Sequence, residues 1–301
     1  NNSSIIGSII ALRLQIILAD IGIIYFGKKI LEKLKLPVHN IFLYALNPFI
    51  IIELTGNLHF ESVMLFFLVW SLYLILQKKW SLAALIFSLS VAVKLIPLLF
   101  LPLFYQWFTK DEKRKGILNF LSFGAIIIGI NMLLFLPFLS SDLLDKYLSS
   151  VGLWFQKFEF NASLYYIARA LGTLFRGYNE IAIIGKTTPV IVVIFLLIIT
   201  LFRKNKSPQQ LITALLIGIS FYYFTTTTMH PWYLTTLVIL SVFTNYRFPI
   251  VWSVVIVLSY QAYANIPWKE NLWLIALEYL VVYGFLLWEI LQIKKKSLAI
   301  K

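Results

Sequence analysis

The sequence predicts an all-α polytopic membrane protein with about eleven membrane-embedded helices, some of them short or re-entrant. Three observations predict it. Of the 301 residues, 60% are hydrophobic and only 13% are charged, where soluble domains hold about half and a quarter; mean hydropathy is +0.85. The apolar residues gather into separate runs of helical length. The charges lie in short clusters between those runs, one set strongly basic, which is the pattern of the positive-inside rule. The net charge of +13 is therefore a topology signal, and nucleic acid is not an expected partner. With no cysteine in the chain, disulfides and thiolate metal sites are excluded.

The apolar runs cover residues 5–26, 38–52, 63–76, 81–93, 95–108, 117–136, 188–202, 211–224, 234–243, 250–264 and 272–290. The chain opens Asn1-Asn2-Ser3-Ser4 without a methionine and enters the first run almost at once. It reads as a fragment whose N-terminal part is missing. The second run is broken at Asn47-Pro48, because proline lacks an N–H. The fourth and fifth form a hairpin turning at Lys94–Pro97, since Pro97 disfavours helix at Ile96. One continuous helix there would also carry the Lys110, Lys113, Arg114, Lys115 cluster to the wrong side. Further basic connections hold Lys28, Lys29, Lys33 and Lys35, then Lys78 and Lys79, Arg203, Lys204 and Lys206, Arg247, and Lys294 to Lys296 with Lys301. These are expected inside, with the N-terminus outside and the C-terminus cytoplasmic. Residues 1–301 thus form a single transmembrane domain, with an outer loop region at 137–187. Within that loop, 164–175 places aromatic and apolar residues at helical spacing around Arg169, which suits a helix lying in the interface.

Several runs are too short to cross, residues 37–53 among them at about 24 Å. At about 1.5 Å per residue, 81–93 rises roughly 20 Å and 234–243 roughly 15 Å, against a hydrocarbon core of about 30 Å. Their outer ends are expected beneath the outer lipid surface, lining an outward-facing cavity. Those ends carry Lys94 and Met229-His230-Pro231-Trp232-Tyr233.

The richest stretch is 53–61, which carries Glu53, Gly56, Asn57, His59 and Glu61 between two apolar runs. An ionisable group near lipid costs a few kcal/mol unless it lines water, protein or ligand. A polar loop capping the next helix is the plain reading. The functional one makes the carboxylates a general base or a sugar ligand, and lets His59 donate to a phosphate oxygen. Lys94 either snorkels to the surface or faces a phosphate. Trp232 and Tyr233 suit an aromatic belt; His230 does not. Arg13 and Asp20, seven apart on the first helix, suit a packing or ion-pair role within the bundle. His59, Glu53 and His230 match no zinc spacing, so no metal site is assigned.

Taken in order, Asn47-Pro48…Glu53-Leu-Thr-Gly56-Asn57-Leu-His59-Phe-Glu61, then Ala92-Val-Lys94-Leu-Ile-Pro97 and His230-Pro-Trp-Tyr233 resemble the GT-C superfamily of polyprenyl-phosphate-sugar glycosyltransferases. The likeness is greatest to bacterial integral-membrane mannosyltransferase-like proteins and more distant to the GPI first-mannose transferase. Asp20 and the phrase Phe158-Glu-Phe-Asn161-Ala-Ser163-Leu-Tyr165-Tyr166…Arg169 are similar to the family too. The resemblance implies an inverting transfer of mannose or another hexose from a polyprenyl-phosphate carrier to a lipid or glycan acceptor at the outer face of the bacterial inner membrane. It implies catalytic roles for Glu61, His59 and Glu53, carrier-phosphate binding by Lys94, His230 and Arg169, and substrate binding by Asn57, Trp232 and Tyr233. No cofactor is implied with certainty, and a divalent metal is left open. The family's main catalytic acidic residue follows a first helix, in a first outer loop, and this sequence lacks both. A transporter or lipid flippase is the rival class, but the inverted repeats common there are not visible.

Overall fold

The computed structural model describes residues 4–299. These are helical almost throughout, and the β pairing among them is one isolated bridge between Phe160 and Thr228. The chain divides into two compact units, Asn1–Ser140 with Leu196–Gly218, and Ser141–Phe195 with Ile219–Lys301.

In the first unit α1 runs Ile5–Leu34, capped by the Ser4 side chain, which accepts from the Gly7 N–H at 3.4 Å. Its buried positions, Ile16, Ala19, Ile23, Gly27, Ile30, Leu31 and Leu34, follow a spacing of three or four residues with Leu31 widening the stripe, the mark of one packed helix face. The helix is longer than the expected 5–26 and takes in Lys28 to Lys33, so these lysines line its last turns rather than a loop. Cations there oppose the negative end of the helix dipole. α1 packs on α4 (Glu61–Leu76) so closely that a Cβ on Gly22 would lie 2.3 Å from the Phe66 ring. Between them come α2 (Phe42–Ala45) and α3 (Pro48–Ile50), with Asn47 capping α3 through the Phe49 N–H at 3.0 Å and Pro48 at its first position. The two arms around this break are bent by 49°. α3 then widens into a π-helical segment, Ile51–Gly56.

α5 (Trp80–Val93) ends at Lys94, whose backbone is extended, and a 3₁₀ segment, Ile96–Phe104, continues into α6 (Tyr105–Thr109). Trp80 meets Phe108 at 6.4 Å and Phe87 meets Phe104 at 5.9 Å between ring centroids. Contacts nested about residue 94 make this the expected hairpin, with Lys94 at its tip. Phe123 of α7 (Lys113–Phe135) joins Phe87 and Phe104 at 6.0 and 5.6 Å, and all three rings are fully buried. Lipid tails are as apolar as these rings, so interlocking contact rather than escape from water holds them together.

The second unit contains α8 (Leu143–Lys157), α9 (Leu164–Arg176) and, from Ile181, most of α10 (Ile181–Phe202). The last turns of α11 (Pro208–Thr225) lead through residues 226–230 to a short 3₁₀ turn, Pro231–Tyr233, and α12 (Leu234–Val242), in which every residue is buried. α13 (Phe248–Val255), a 3₁₀ segment Ile256–Ala264, and α14 (Leu272–Ala299) complete it. The expected interfacial helix is α9; Leu164, Ile167, Leu171, Leu174 and Phe175 are exposed along it.

All eleven predicted apolar runs fall on helix, but they are not eleven full spans. Four described helices are long and apolar enough to cross a membrane: Ile5–Leu34, Lys113–Phe138, Ile181–Phe202 and Leu272–Lys295. The bent pair Val38–Ala45 and Pro48–Gly56 makes a fifth if it counts as one span. Five further apolar helices are 10–17 residues long, less than the roughly 20 residues that a crossing needs.

Candidate functional site

The π-helical segment sets the geometry of the 53–61 corner. The Asn57 N–H reaches Ile52 O at 2.8 Å and the His59 N–H reaches Leu54 O at 3.2 Å, both five residues back. Such wide turns inside α-helices recur at functional sites. The carbonyls of Thr55 and Gly56 accept from the Arg13 guanidinium, at 3.0 and 3.4 Å, so α1 braces the turn. Leu58 follows at φ +60°, a left-handed conformation costly for a side chain with a Cβ. It redirects the chain so that His59 lies back over Glu53.

Glu53 is buried, with 1% of its surface exposed. Its carboxylate accepts from the Asn57 side chain at 3.3 Å and lies 3.7 Å from His59 Nε2. Glu61, 3% exposed, begins α4, where the positive end of the helix dipole favours a carboxylate. It forms an ion pair with the Lys94 ammonium. The sequence leaves Lys94 either snorkelling to the surface or facing a phosphate; here its partner is the Glu61 carboxylate, with the lysine side chain 32% exposed. Burial pushes the His59 imidazole below its usual range, and Lys94 acts in the same direction while Glu61 opposes it. Thus Glu53, Asn57, His59, Glu61 and Lys94 meet in one unit from three elements.

Arg13 and Asp20 do not pair with one another. Asp20 accepts from the Tyr44 hydroxyl at 2.9 Å and from the Ser62 hydroxyl at 2.6 Å, and Ser62 is the residue after Glu61. Asp20 thereby ties α1 and α2 to the start of α4. That partner choice could not be read from sequence spacing within one helix.

The remaining candidates lie in the second unit and form a different kind of place. His230, 6% exposed, is stacked between Trp232 and Phe160, at 4.4 and 5.1 Å between centroids. Tyr233 meets it edge-on at 5.5 Å, and Phe158 lies 5.9 Å away. Phe160 is fixed by backbone bonds, its N–H to Thr227 O at 3.1 Å and its carbonyl from the Met229 N–H at 2.8 Å. Arg169 pairs with Glu159 at 2.9 Å and lies over the Tyr166 ring at 4.4 Å. The Tyr166 hydroxyl donates to Glu270; burial raises the carboxyl of Glu270 and, foremost among several causes, the phenol of Tyr166. Trp268 and Glu270 were not singled out in the sequence, because their partners lie far along the chain. Among the described residues, no three His, Cys, Asp or Glu side chains gather as metal ligands.

Two family models match the chain. Residues 1–110 match the alpha-(1→6)-mannopyranosyltransferase N-terminal domain of the MptA_B family, and residues 57–167 match the ALG3 protein family. Neither a curated protein nor a solved structure matches it. Both matched stretches contain Asn57, His59, Glu61 and Lys94; Glu53 lies in the first alone, and Arg169 and His230 lie beyond both. Up to residue 167 the chain is thus similar to mannosyltransferase families, consistent with its resemblance to the GT-C superfamily.

Proposed function

We propose that this chain transfers mannose from a polyprenyl-phosphate carrier to a glycan or lipid acceptor at the outer membrane face, with inversion at the anomeric carbon. The observation that carries the reading is the Glu61–Lys94 pair beside His59, inside the stretch that both mannosyltransferase families match. An acceptor hydroxyl attacks the anomeric carbon as the bond to the carrier phosphate breaks, and the phosphate leaves with the electron pair. The hydroxyl proton passes to a carboxylate, Glu61 or Glu53. Lys94 exchanges Glu61 for the carrier phosphate when the donor arrives. The exchange neutralises the departing charge, the part of the transition state that most needs stabilising, and frees Glu61 to receive the acceptor. Asn57 and His59 hold hydroxyls of the sugar.

The test is transfer of radiolabelled mannose from a polyprenyl-phosphate donor in membranes containing the protein. Label appearing in a glycan or lipid product supports the reading. Donor consumed at the rate of membranes without the protein overturns it. The outward orientation is tested separately by Lys113→Cys, Lys204→Cys and Lys157→Cys in this cysteine-free chain. An impermeant reagent added to intact cells should label position 157 alone, and labelling at 113 would invert the topology.

A further inference from the structure

Glu278 and Asn161 are both completely buried, and their hydrogen bonds do not balance if Glu278 is an anion. Glu278 Oε1 accepts from the Trp252 indole at 2.7 Å and from Asn161 Nδ2 at 3.1 Å. Glu278 Oε2 and Asn161 Oδ1, by contrast, are buried acceptors without a hydrogen-bond partner. The groups facing the pair bring no positive charge. Tyr279 donates to Asn161 O at 2.7 Å, Glu270 accepts from the Asn161 N–H at 2.6 Å, and Tyr166 is bonded to Glu270. Tyr283 is occupied by Ser163 at 2.7 Å. Among the described residues Glu278 has no ion-pair partner. A bare carboxylate in such a place is costly, whereas a neutral acid can be used as a donor.

We infer that Glu278 is a neutral carboxylic acid whose proton is donated from Oε2 to Asn161 Oδ1, closing a two-bond ring between carboxyl and carboxamide. One proton then satisfies both orphaned acceptors. Asn161 is held at φ +45°, so the ring also anchors a strained turn. Phe160, the next residue back, is bonded to Thr227 and Met229 on the segment that leads into His230. Glu278 is therefore a positioning residue for the aromatic stack around His230, acting through Asn161 and Phe160. Its consequence for transfer rests on the proposed function; the proton itself does not.

The decisive measurement is an infrared difference spectrum between the wild-type protein and Glu278→Gln at neutral pH. The carboxylic-acid carbonyl band should be present in the wild type and missing from the variant. A carboxylate band lost in its place overturns the inference, whether or not the protein transfers mannose. Function supplies a second readout. Glu278→Gln can make the same two-bond ring and should keep transfer within about twofold. Glu278→Ala should lose tenfold or more. A Glu278→Gln variant as inactive as Glu278→Ala would overturn the neutral ring, since it would mean that the negative charge is needed.

Discussion

The two clusters solve the burial of polar groups in opposite ways. In the 53–61 corner Glu61 is matched by the opposite charge of Lys94, and Glu53 lies against His59 and the Asn57 amide. Around His230 the polar ring is held by flat neighbours, and its scaffold is a hydrogen-bonded chain of Phe160, Asn161 and Glu278. The first arrangement can exchange partners with an incoming anion at little cost, because each charge is only traded for another. The second cannot move one group without stranding the next. The two clusters thus differ in what they pair with, not in how polar they are.

Removing charge should therefore be far more damaging in the first cluster. Glu61→Gln keeps shape and removes the anion; transfer should fall roughly 10²-fold or more, with expression nearly unchanged. Normal turnover would reduce the corner to a polar loop. Lys94→Met should lose about ten- to a hundredfold in rate or donor affinity, the worth of a charge-assisted bond to phosphate, and Lys94→Arg should recover part of it. Unchanged donor kinetics in Lys94→Met would take Lys94 out of the site. At His230 the expected order is set by ring shape. His230→Phe should unfold within a few degrees of wild type, while His230→Ala loses two stacked faces, worth about 0.5–1.5 kcal/mol each beyond area. Equal melting temperatures for the two variants would break the comparison.

The smallest effect is a pH slope. Burial lowers the His59 pKa from its usual 6.5, so below that pH the unfolded chain binds more protons than the folded one. Stability from this group is present above pH 6.5 and is lost as pH falls toward the folded value, where the loss levels off. Comparing thermal unfolding of the wild type and His59→Gln between pH 7 and pH 5 measures it. A wild-type slope no steeper than the variant's would mean that His59 is solvated.

Much of the first unit was legible because its signals are local. Pro48 lacks an N–H, Pro97 biases the residue before it, and the basic cluster at Lys110 to Lys115 argues against one continuous helix through residue 94. The hairpin at Lys94 and the break at Asn47 follow from those alone. What was not legible depends on distance along the chain. Glu61 and Lys94 were each noticed, but 33 residues part them and nothing local says that they pair. Glu278 is one of two acids in a long apolar helix, and its meaning comes from Asn161, 117 residues earlier. α8 was merged into a loop because its apolar residues are interrupted by Asp145, Lys146 and Lys157.

The widened turn Ile51–Gly56 has one further consequence, for insertions and deletions. A π turn closes its bonds over five residues where an α turn uses four, so it stores one residue of slack in the helix. Deleting Ile52 would let the segment relax to α-helix, and each residue of an α-helix turns about 100°. A deletion there would be absorbed by the turn, leaving the break at Asn47-Pro48 near its present register with Asn57, whereas the same deletion in an ordinary α turn would rotate everything before it by that amount. A one-residue deletion in 51–56 should thus disturb the register of the flanking turns less than one inside α4, where no spare residue exists to absorb it.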